Sequence, residues 1–190
     1  MNNTNKQVKA QNRVAIALGD PSGIGIEVTL KALGNDDLPK DMHPLLIGCK
    51  QTVESIFSKL KSKGVVPLAD PSQLDFEDLP FQGELKEGQA NNRTGAASFD
   101  WLTRATEIVL EKNAKSLVTA PIAKFAWHAA GHSYPGQTER LAELSSVANP
   151  SMLFTAKSPH TNWRLNTLLA TTHIPFTKIA NALTPELIFE

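Results

Sequence analysis

The sequence predicts an α/β fold, because short apolar runs alternate along the chain with segments of helical periodicity. The apolar runs at residues 13–18, 45–48 and 117–120 each end at glycine or proline, as is typical of buried strands. A glycine-rich turn joins the first run to the first helical segment, so the chain opens as strand, turn and helix. This alternation is typical of the α/β class.

The first strand, at 13–18, ends at Gly19 and is followed by the turn G-D-P-S-G-I-G and a helix at 26–33 that stops at Gly34. Strand, glycine-rich turn and helix form a setting in which an anion can bind at a helix N-terminus. The spacing of the glycines does not match G-x-G-x-x-G, and no P-loop lysine follows. The glycines therefore indicate either an anion site or only a tight strand-to-helix turn.

The middle of the chain continues the alternation. A second strand at 45–48 precedes a helix whose apolar residues fall at i, i+3, i+4 and i+7, from Val53 to Leu60. The segment 64–92 is rich in Pro, Gly, Asp and Gln, which predicts a strand-and-loop excursion. A long helical pattern at 94–115 leads into the third strand.

The stretch 116–139 contains most of the residues for which a function is predicted. The strand at 117–120 stops before Pro121, because the residue before a proline avoids the helical region. Lys124 then begins a short helix with a predicted apolar side of Ile122, Phe125, Ala126 and Ala129. A Tyr-Pro-Gly turn at 134–136 starts another helix, which we expect to run to residue 147. Since ligands bind at strand ends in α/β sheets, Lys124 and the residues Gln137, Thr138 and Glu139 are predicted to face one cleft.

The last part of the chain predicts two strands, at 152–155 and 165–171, with a turn at 159–163 between them. His173 follows the second strand, ahead of Pro175 and an amphipathic helix. Thr184, Pro185 and Glu186 form a helix start, yet fewer than two turns follow. We therefore expect the chain to be the N-terminal portion of a longer protein.

Composition limits the classes of function. A hydrophobic fraction of 41% and a charged fraction of 20% indicate a globular chain, and 190 residues suffice for an ordinary core. Nineteen basic residues balance nineteen acidic ones, so neither nucleic-acid nor membrane binding is predicted. The single cysteine, Cys49, excludes an intrachain disulfide and predicts a cytoplasmic location. Residues 1–12 are predicted to be a flexible polar leader and 13–190 the folded part.

Motifs in family order resemble the 4-hydroxythreonine-4-phosphate dehydrogenase family of vitamin B6 biosynthesis. They are R-V-A-I-A-L-G-D-P-S-G-I-G-I-E-V, V-T-A-P-I-A-K, A-G-H-S-Y-P-G-Q-T-E-R-L-A, and L-L-A-T-T-H-I-P with T-P-E-L. The resemblance implies a three-layer α/β/α fold like that of the isocitrate and isopropylmalate dehydrogenases, here truncated, and a homodimer. It implies NAD or NADP and a divalent cation (Zn, Mg or Co) as cofactors. The implied reaction oxidises 4-phosphohydroxy-L-threonine, and loss of carbon dioxide then gives 3-amino-2-oxopropyl phosphate.

The resemblance also implies roles for individual residues. His173 matches a metal ligand, while Gln137 and Thr138 match a substrate-binding pair. Lys124 and Asp20 are candidate catalytic residues; no cofactor-binding residue is assigned. The alternatives are a structural histidine, a solvated helix lysine and an ordinary turn aspartate. Glu139 either acts in catalysis or only stabilises a helix N-terminus.

Two departures from the family pattern bear on function. Gln137 stands where members commonly have histidine, and Ala120 stands where they have glycine before the proline. Glutamine can bind substrate but cannot shuttle a proton. The substrate could therefore be a related four-carbon phosphate, threonate or erythronate 4-phosphate, or the chain could be a non-catalytic truncated binding module. Since one ligand does not make a metal site, the chain alone is predicted to be inactive.

Overall fold

The computed structural model describes residues 12–172 and 174–189. These residues form two compact units that divide after Ser146. Nearly all of the predicted leader, residues 1–11, lies outside the described residues.

The first unit alternates strands and helices. Its strands are β1 (Arg13–Ala17), β2 (His43–Gly48), β3 (Asp75–Asp78) and β4 (Ser116–Thr119). Its helices are α1 (Gly25–Leu33), α2 (Lys50–Ser62), α3 (Asn92–Leu110), α4 (Lys124–Ala129) and α5 (Gln137–Leu144), with a short 3-10 helix at Pro71–Gln73. The predicted strands and the predicted excursion at 64–92 are confirmed.

The four strands form one parallel sheet in the order β3-β2-β1-β4. Ala15 of β1 pairs with Leu45 of β2 on one side and with Leu117 of β4 on the other. The chain runs outward from β1 through β2 to β3 and then crosses back to β4, so the strand order reverses between β1 and β4. In sheets of this kind, ligands bind outside the carboxyl ends of the strands at such a reversal.

Helices cover both faces of the sheet. Parallel crossovers are right-handed in nearly all proteins, so α1 and α2, which connect strands in one direction, lie on the same face. The return through α3 runs in the opposite direction, which places α3 on the other face, where it packs on β1, β2 and β4. The buried residues of β1 and β2, such as Ile16 and Leu46, fill the space between these layers. The predicted three-layer α/β/α architecture is confirmed.

The predicted ends of two helices and the predicted apolar side of a third were wrong. Helix α3 ends at Leu110 rather than 115, because Lys112 takes a left-handed conformation with φ 61°. Helix α5 ends at Leu144 rather than 147, before Ser146 at φ 56°. Phe125, predicted on the apolar side of α4, is 65% exposed, whereas Trp127 is fully buried. The reason is that α4 packs on α3 through Trp127, a contact that local periodicity does not reveal.

The second unit consists of an antiparallel hairpin followed by two short helices. Strands β5 (Met152–Lys157) and β6 (Arg164–Leu169) pair directly, and helices α6 (Phe176–Ala182) and α7 (Pro185–Phe189) follow. The hydroxyl of Thr184 accepts a hydrogen bond from the backbone N–H of Leu187, which confirms the predicted helix start. Within residues 12–172 and 174–189, no helix combines the length and apolar character needed to cross a membrane.

Candidate functional site

The loops that follow β1 and β4 run side by side at the carboxyl edge of the sheet. The backbone N–H of Ala120 donates to the carbonyl of Ala17 at 2.9 Å, and that of Asp20 donates to the carbonyl of Pro121 at 3.0 Å. These bonds extend the pairing of β1 and β4 beyond the strands themselves. The predicted functional segments therefore meet where the strand order reverses.

Two glycines of the first turn permit this close approach. Gly19 has φ +71°, and a Cβ at this position would lie 2.2 Å from the carbonyl oxygen of Pro121. A Cβ on Gly25 would lie 2.4 Å from the carbonyl oxygen of Leu18 and 2.9 Å from the Cβ of Ala120. These contacts support the tight-turn interpretation of the glycines. They also explain how the alanine at 120 is accommodated, since Gly25 offers no side chain against it.

The carboxylate of Asp20 is buried within this turn. One oxygen accepts hydrogen bonds from the backbone N–H and the hydroxyl of Ser22, at 2.8 and 2.6 Å, and the other accepts from the hydroxyl of Thr94 at 3.1 Å. Thr94 belongs to the capping box that Asn91 forms at the start of α3. Asp20 thus joins the first turn to the N-terminus of α3. This geometry favours a structural role for Asp20, and its catalytic role stays a prediction.

Helix α4, which begins at Lys124, is held against α3 by a buried tryptophan. The indole N–H of Trp127 donates to the hydroxyl of Ser98 at 2.7 Å, and its ring meets Phe99 edge-on at 5.2 Å between centroids. Gly95 lets the backbones approach, because a Cβ there would lie 2.1 Å from the carbonyl oxygen of Ala126. The position of Lys124 therefore depends on the packing of α4 against α3.

Lys124 and the first turn of α5 meet around Gly136. A Cβ on Gly136 would lie 3.6 Å from the Nζ of Lys124 and 3.4 Å from a carboxylate oxygen of Glu139. Gln137 donates its side-chain N–H to the carbonyl of Ala120 at 3.3 Å. The structure thus brings together Lys124, Gln137 and Glu139, as the sequence predicts, and places them beside the end of β4.

The groups around Gly136 are arranged to receive a polar ligand. The Oε1 atom of Gln137 is buried without a hydrogen-bond partner, and α5 has no side-chain cap at its N-terminus. Among the described residues, neither the ammonium of Lys124 nor the hydroxyl of Thr138 has a polar partner. The free cation and the uncapped helix N-terminus favour a negatively charged group, and the carboxylate of Glu139 in the same turn opposes one. The unpaired amide oxygen favours a hydrogen-bond donor on the same ligand.

The predicted metal ligand, His173, lies outside the described residues. Within the described part of the chain, no group of three His, Cys, Asp or Glu side chains is placed to hold a metal ion. A catalytic metal site needs about three protein ligands. The described residues therefore do not form the predicted metal site.

A polar cluster formed by Tyr134, Arg140 and Glu143 was not predicted from the sequence. Glu143, near the end of α5, accepts hydrogen bonds from the hydroxyl of Tyr134 and from the guanidinium of Arg140. The Tyr134 hydroxyl, followed by Arg140, holds the pKa of Glu143 below its ordinary value of 4.5. In the sequence, this cluster is indicated only by the spacing of Arg140 and Glu143, which lie three residues apart on a predicted helix and can therefore form an ion pair.

Acid is expected to weaken the attachment of α5. Because the folded-state pKa of Glu143 is lowered, its stabilisation is present above pH 4.5 and is lost as the pH falls through the lowered pKa. We expect Glu143→Gln to lower the urea midpoint relative to wild type at about pH 7, and this difference to shrink as the pH falls below 4.5. A difference that stays constant with pH would show that the charge of Glu143 does not stabilise the fold.

The chain matches one protein-family model and is similar in sequence to enzymes of two named activities. A family model described as pyridoxal phosphate biosynthetic protein PdxA matches residues 40–190. A 4-hydroxythreonine-4-phosphate dehydrogenase of a Synechococcus species is 57% identical over 174 residues, which cover 92% of this chain and 52% of the relative. A D-threonate 4-phosphate dehydrogenase of Salmonella typhimurium is 35% identical over 187 residues, 90% of this chain and 53% of the relative.

Solved structures agree with these sequence relatives. The crystal structure of a 4-hydroxythreonine-4-phosphate dehydrogenase from Klebsiella pneumoniae matches with a TM-score of 0.78 and 28% identity, covering 93% of this chain and 55% of that one. A second such structure, from Burkholderia phymatum, matches with a TM-score of 0.75 and 28% identity, covering 94% and 55%. The chain spans about half the length of the curated relatives it matches.

Proposed function

The chain belongs to the family of the pyridoxal phosphate biosynthetic protein PdxA, and we propose that its site binds 4-phosphohydroxy-L-threonine for oxidation by NAD or NADP. The secondary alcohol would become a ketone by losing a hydride, for which NAD or NADP would be the acceptor, and its hydroxyl proton, which would pass to water. The resulting β-keto acid then loses carbon dioxide to give 3-amino-2-oxopropyl phosphate. The names of the relatives support this reaction class. The structural observation that supports it is that Lys124 lies near Gly136, next to Gln137, and that neither its ammonium nor the Oε1 of Gln137 has a partner among the residues described.

The chain's own residues would bind and orient the substrate. Lys124 and the N-terminus of α5 would attract one of its anionic groups. The Oε1 of Gln137 would accept a hydrogen bond from its hydroxyl or ammonium group, and Thr138 would offer a further hydroxyl. Because an amide does not titrate, Gln137 would hold the substrate without moving a proton.

The cofactors belong to the same proposal. We expect NAD or NADP and a divalent cation, Zn, Mg or Co, with His173 as one ligand. A bound cation of this kind acts as a Lewis acid toward substrate oxygen atoms. We also expect a homodimer, a small phosphorylated substrate as the partner, no nucleic-acid or membrane partner, and a cytoplasmic location.

A second candidate function keeps the chemistry and changes the substrate to threonate or erythronate 4-phosphate. Two observations favour it: Gln137 replaces the family's usual histidine, and one relative is named a D-threonate 4-phosphate dehydrogenase. Both substrate classes offer a hydroxyl to the amide oxygen, so the geometry around Gly136 suits either.

A substrate panel tests the proposal. The complete gene product would be assayed with 4-phosphohydroxy-L-threonine, threonate 4-phosphate and erythronate 4-phosphate, each with both nicotinamide cofactors and each metal. We expect the highest kcat/KM with the first substrate. A higher value with threonate or erythronate phosphate would favour the second candidate. Absence of turnover with all three would overturn both and favour a binding module.

Lys124 offers a test at the level of a residue. Hydrogen bonds to charged groups contribute about 1.5–3 kcal/mol, so we expect Lys124→Gln to lower kcat/KM about 10- to 100-fold. Lys115→Gln is the matched control, because this exposed lysine precedes β4 at the opposite edge of the sheet. Equal effects of the two substitutions would remove Lys124 from the site.

A further inference from the structure

Helix α5 carries Gln137 and Thr138 on its first turn, yet none of its residues is buried. The helix has only eight residues, and helices this short are unstable without contacts to the rest of the protein. Its apolar contact with the core is made by side chains that are only partly buried, such as Leu141. Polar and ring contacts to α3 and to the preceding turn therefore add to this packing in fixing where Gln137 and Thr138 lie.

Arg140 attaches α5 to α3 through hydrogen bonds and a ring contact. Its side chain is only 14% exposed. Its Nε and Nη2 atoms both donate to the hydroxyl of Thr103 on α3, at 3.3 and 3.2 Å. Its guanidinium also lies over the ring of Phe99, with Cζ 4.6 Å from the centroid. Stacking on an aromatic ring and hydrogen bonding in the plane of the guanidinium are compatible uses of one arginine.

Phe99 relates α5 to α4, because the same ring that Arg140 covers also contacts Trp127. His132, in the segment between these two helices, stacks on Phe99 with 3.6 Å between centroids and 5° between planes. A single phenyl ring thus fixes the helix that begins at Lys124 and the helix that begins at Gln137. The distance between the two predicted ligand-binding groups depends on this packing.

Arg140 also forms hydrogen bonds to the turn that precedes α5 and to the last turn of α5 itself. Its Nη1 atom donates to Glu143 at 3.1 Å and to the hydroxyl of Tyr134 at 3.4 Å. Tyr134 lies in the Tyr-Pro-Gly turn immediately before Gln137. Arg140 therefore contacts both α3 and the Tyr-Pro-Gly turn that leads into α5.

We propose that Arg140 is a positioning residue for the substrate site: it sets the place of Gln137 and Thr138 relative to Lys124 without contacting substrate. This inference rests on the proposed function. Direct binding of substrate by Arg140 is disfavoured, because four of its five N–H donors are already used by Thr103, Tyr134 and Glu143 and its side chain is largely covered.

Arg104 provides a matched control. It pairs with Glu77, Glu107 and Glu111. It lies on α3 like Thr103 and Phe99, but among the described residues it makes no hydrogen bond or ion pair with α4 or α5. Its side chain is 34% exposed. Arg104→Gln therefore removes three ion pairs, against the one that Arg140 makes with Glu143, while leaving the attachment of α5 intact.

The test compares Arg140→Gln with Arg104→Gln by two readouts. In NMR spectra, the side-chain amide signals of Gln137 should move in Arg140→Gln and stay in place in Arg104→Gln, although both variants lower the urea midpoint. In the complete gene product, Arg140→Gln should raise KM about tenfold with kcat changed less than about threefold, and Arg104→Gln should change neither by as much.

A second variant separates positioning from general damage. Thr103→Val keeps the shape of the side chain and removes the acceptor that Arg140 uses, so it should move the Gln137 signals in the same direction. The effect of Thr103→Val should be smaller in the presence of Arg140→Gln, because both substitutions remove the same contact between Arg140 and Thr103. Unchanged Gln137 signals in both variants would overturn the inference. An inactive wild-type protein would instead overturn the proposed function, and the amide signals would still decide the role of Arg140.

Discussion

Trp127→Ala is expected to lower the free energy of unfolding by about 3–5 kcal/mol, because it removes a large, fully buried side chain. The substitution also removes the hydrogen bond to Ser98 and the edge contact with Phe99, which together hold α4 against α3. Since α4 begins at Lys124, substrate binding in the complete gene product should weaken as well. Urea unfolding followed by circular dichroism measures the stability change.

Two further substitutions separate the causes. Ser98→Ala leaves the buried indole N–H without its acceptor and should cost about 1–3 kcal/mol. Trp163→Ala is the matched control, because Trp163 is 63% exposed and a surface substitution should change stability by less than about 0.5 kcal/mol. If Trp127→Ala were as mild as Trp163→Ala, the packing of α4 on α3 described above would be incorrect.

Gly19→Ala is expected to destabilise the protein by about 2–5 kcal/mol through two effects. A left-handed backbone conformation costs a residue with a Cβ about 1–2 kcal/mol, and a forced steric contact in a packed region costs about 1–3 kcal/mol. Gly19 has φ +71°, and the added Cβ would lie 2.2 Å from the carbonyl oxygen of Pro121. To relieve the contact, the loops after β1 and β4 must separate, which displaces Asp20 and the end of β4.

Gly64→Ala separates the steric effect from the conformational one. Gly64 has the same φ of +71°, yet no atom of residues 12–172 or 174–189 lies within 4 Å of the position that its Cβ would occupy. We therefore expect Gly64→Ala to show only the conformational cost, about 1–2 kcal/mol. Equal losses in the two variants, measured by urea unfolding, would show that the contact with Pro121 is relieved at no cost.

The meeting of Lys124 with Gln137 was predictable from local signals. Pro121 ends the strand, and Gly136 marks the turn before α5, so the sequence locates both side chains at the same edge of the sheet. The partners of Asp20 were not predictable in this way. Its carboxylate bonds to Thr94, which is 74 residues distant in the sequence, and no periodic pattern connects such positions.

The choice between Phe125 and Trp127 shows the same limit within a single helix. Helix α4 has six residues, too few for an apolar face to be defined by periodicity. Burial of Trp127 follows instead from Ser98, Phe99 and Gly95, which lie on another helix and offer a hydrogen-bond acceptor, a ring and room for backbone approach. Arg140 was likewise recognisable only as one half of a helix ion pair.

By itself the sequence determined the alternation of strands and helices in the first unit, the approximate bounds of β1, β2 and β4, and the family to which its motifs belong. These features depend on residues close together in the chain, where apolar spacing, proline and glycine act directly on the backbone. Only the tertiary structure decided that Trp127 is buried, that Asp20 anchors α3 and that Arg140 holds α5. Those outcomes depend on contacts between residues that are distant in the sequence. Such contacts form, and contribute to stability, only when the helices and strands pack together.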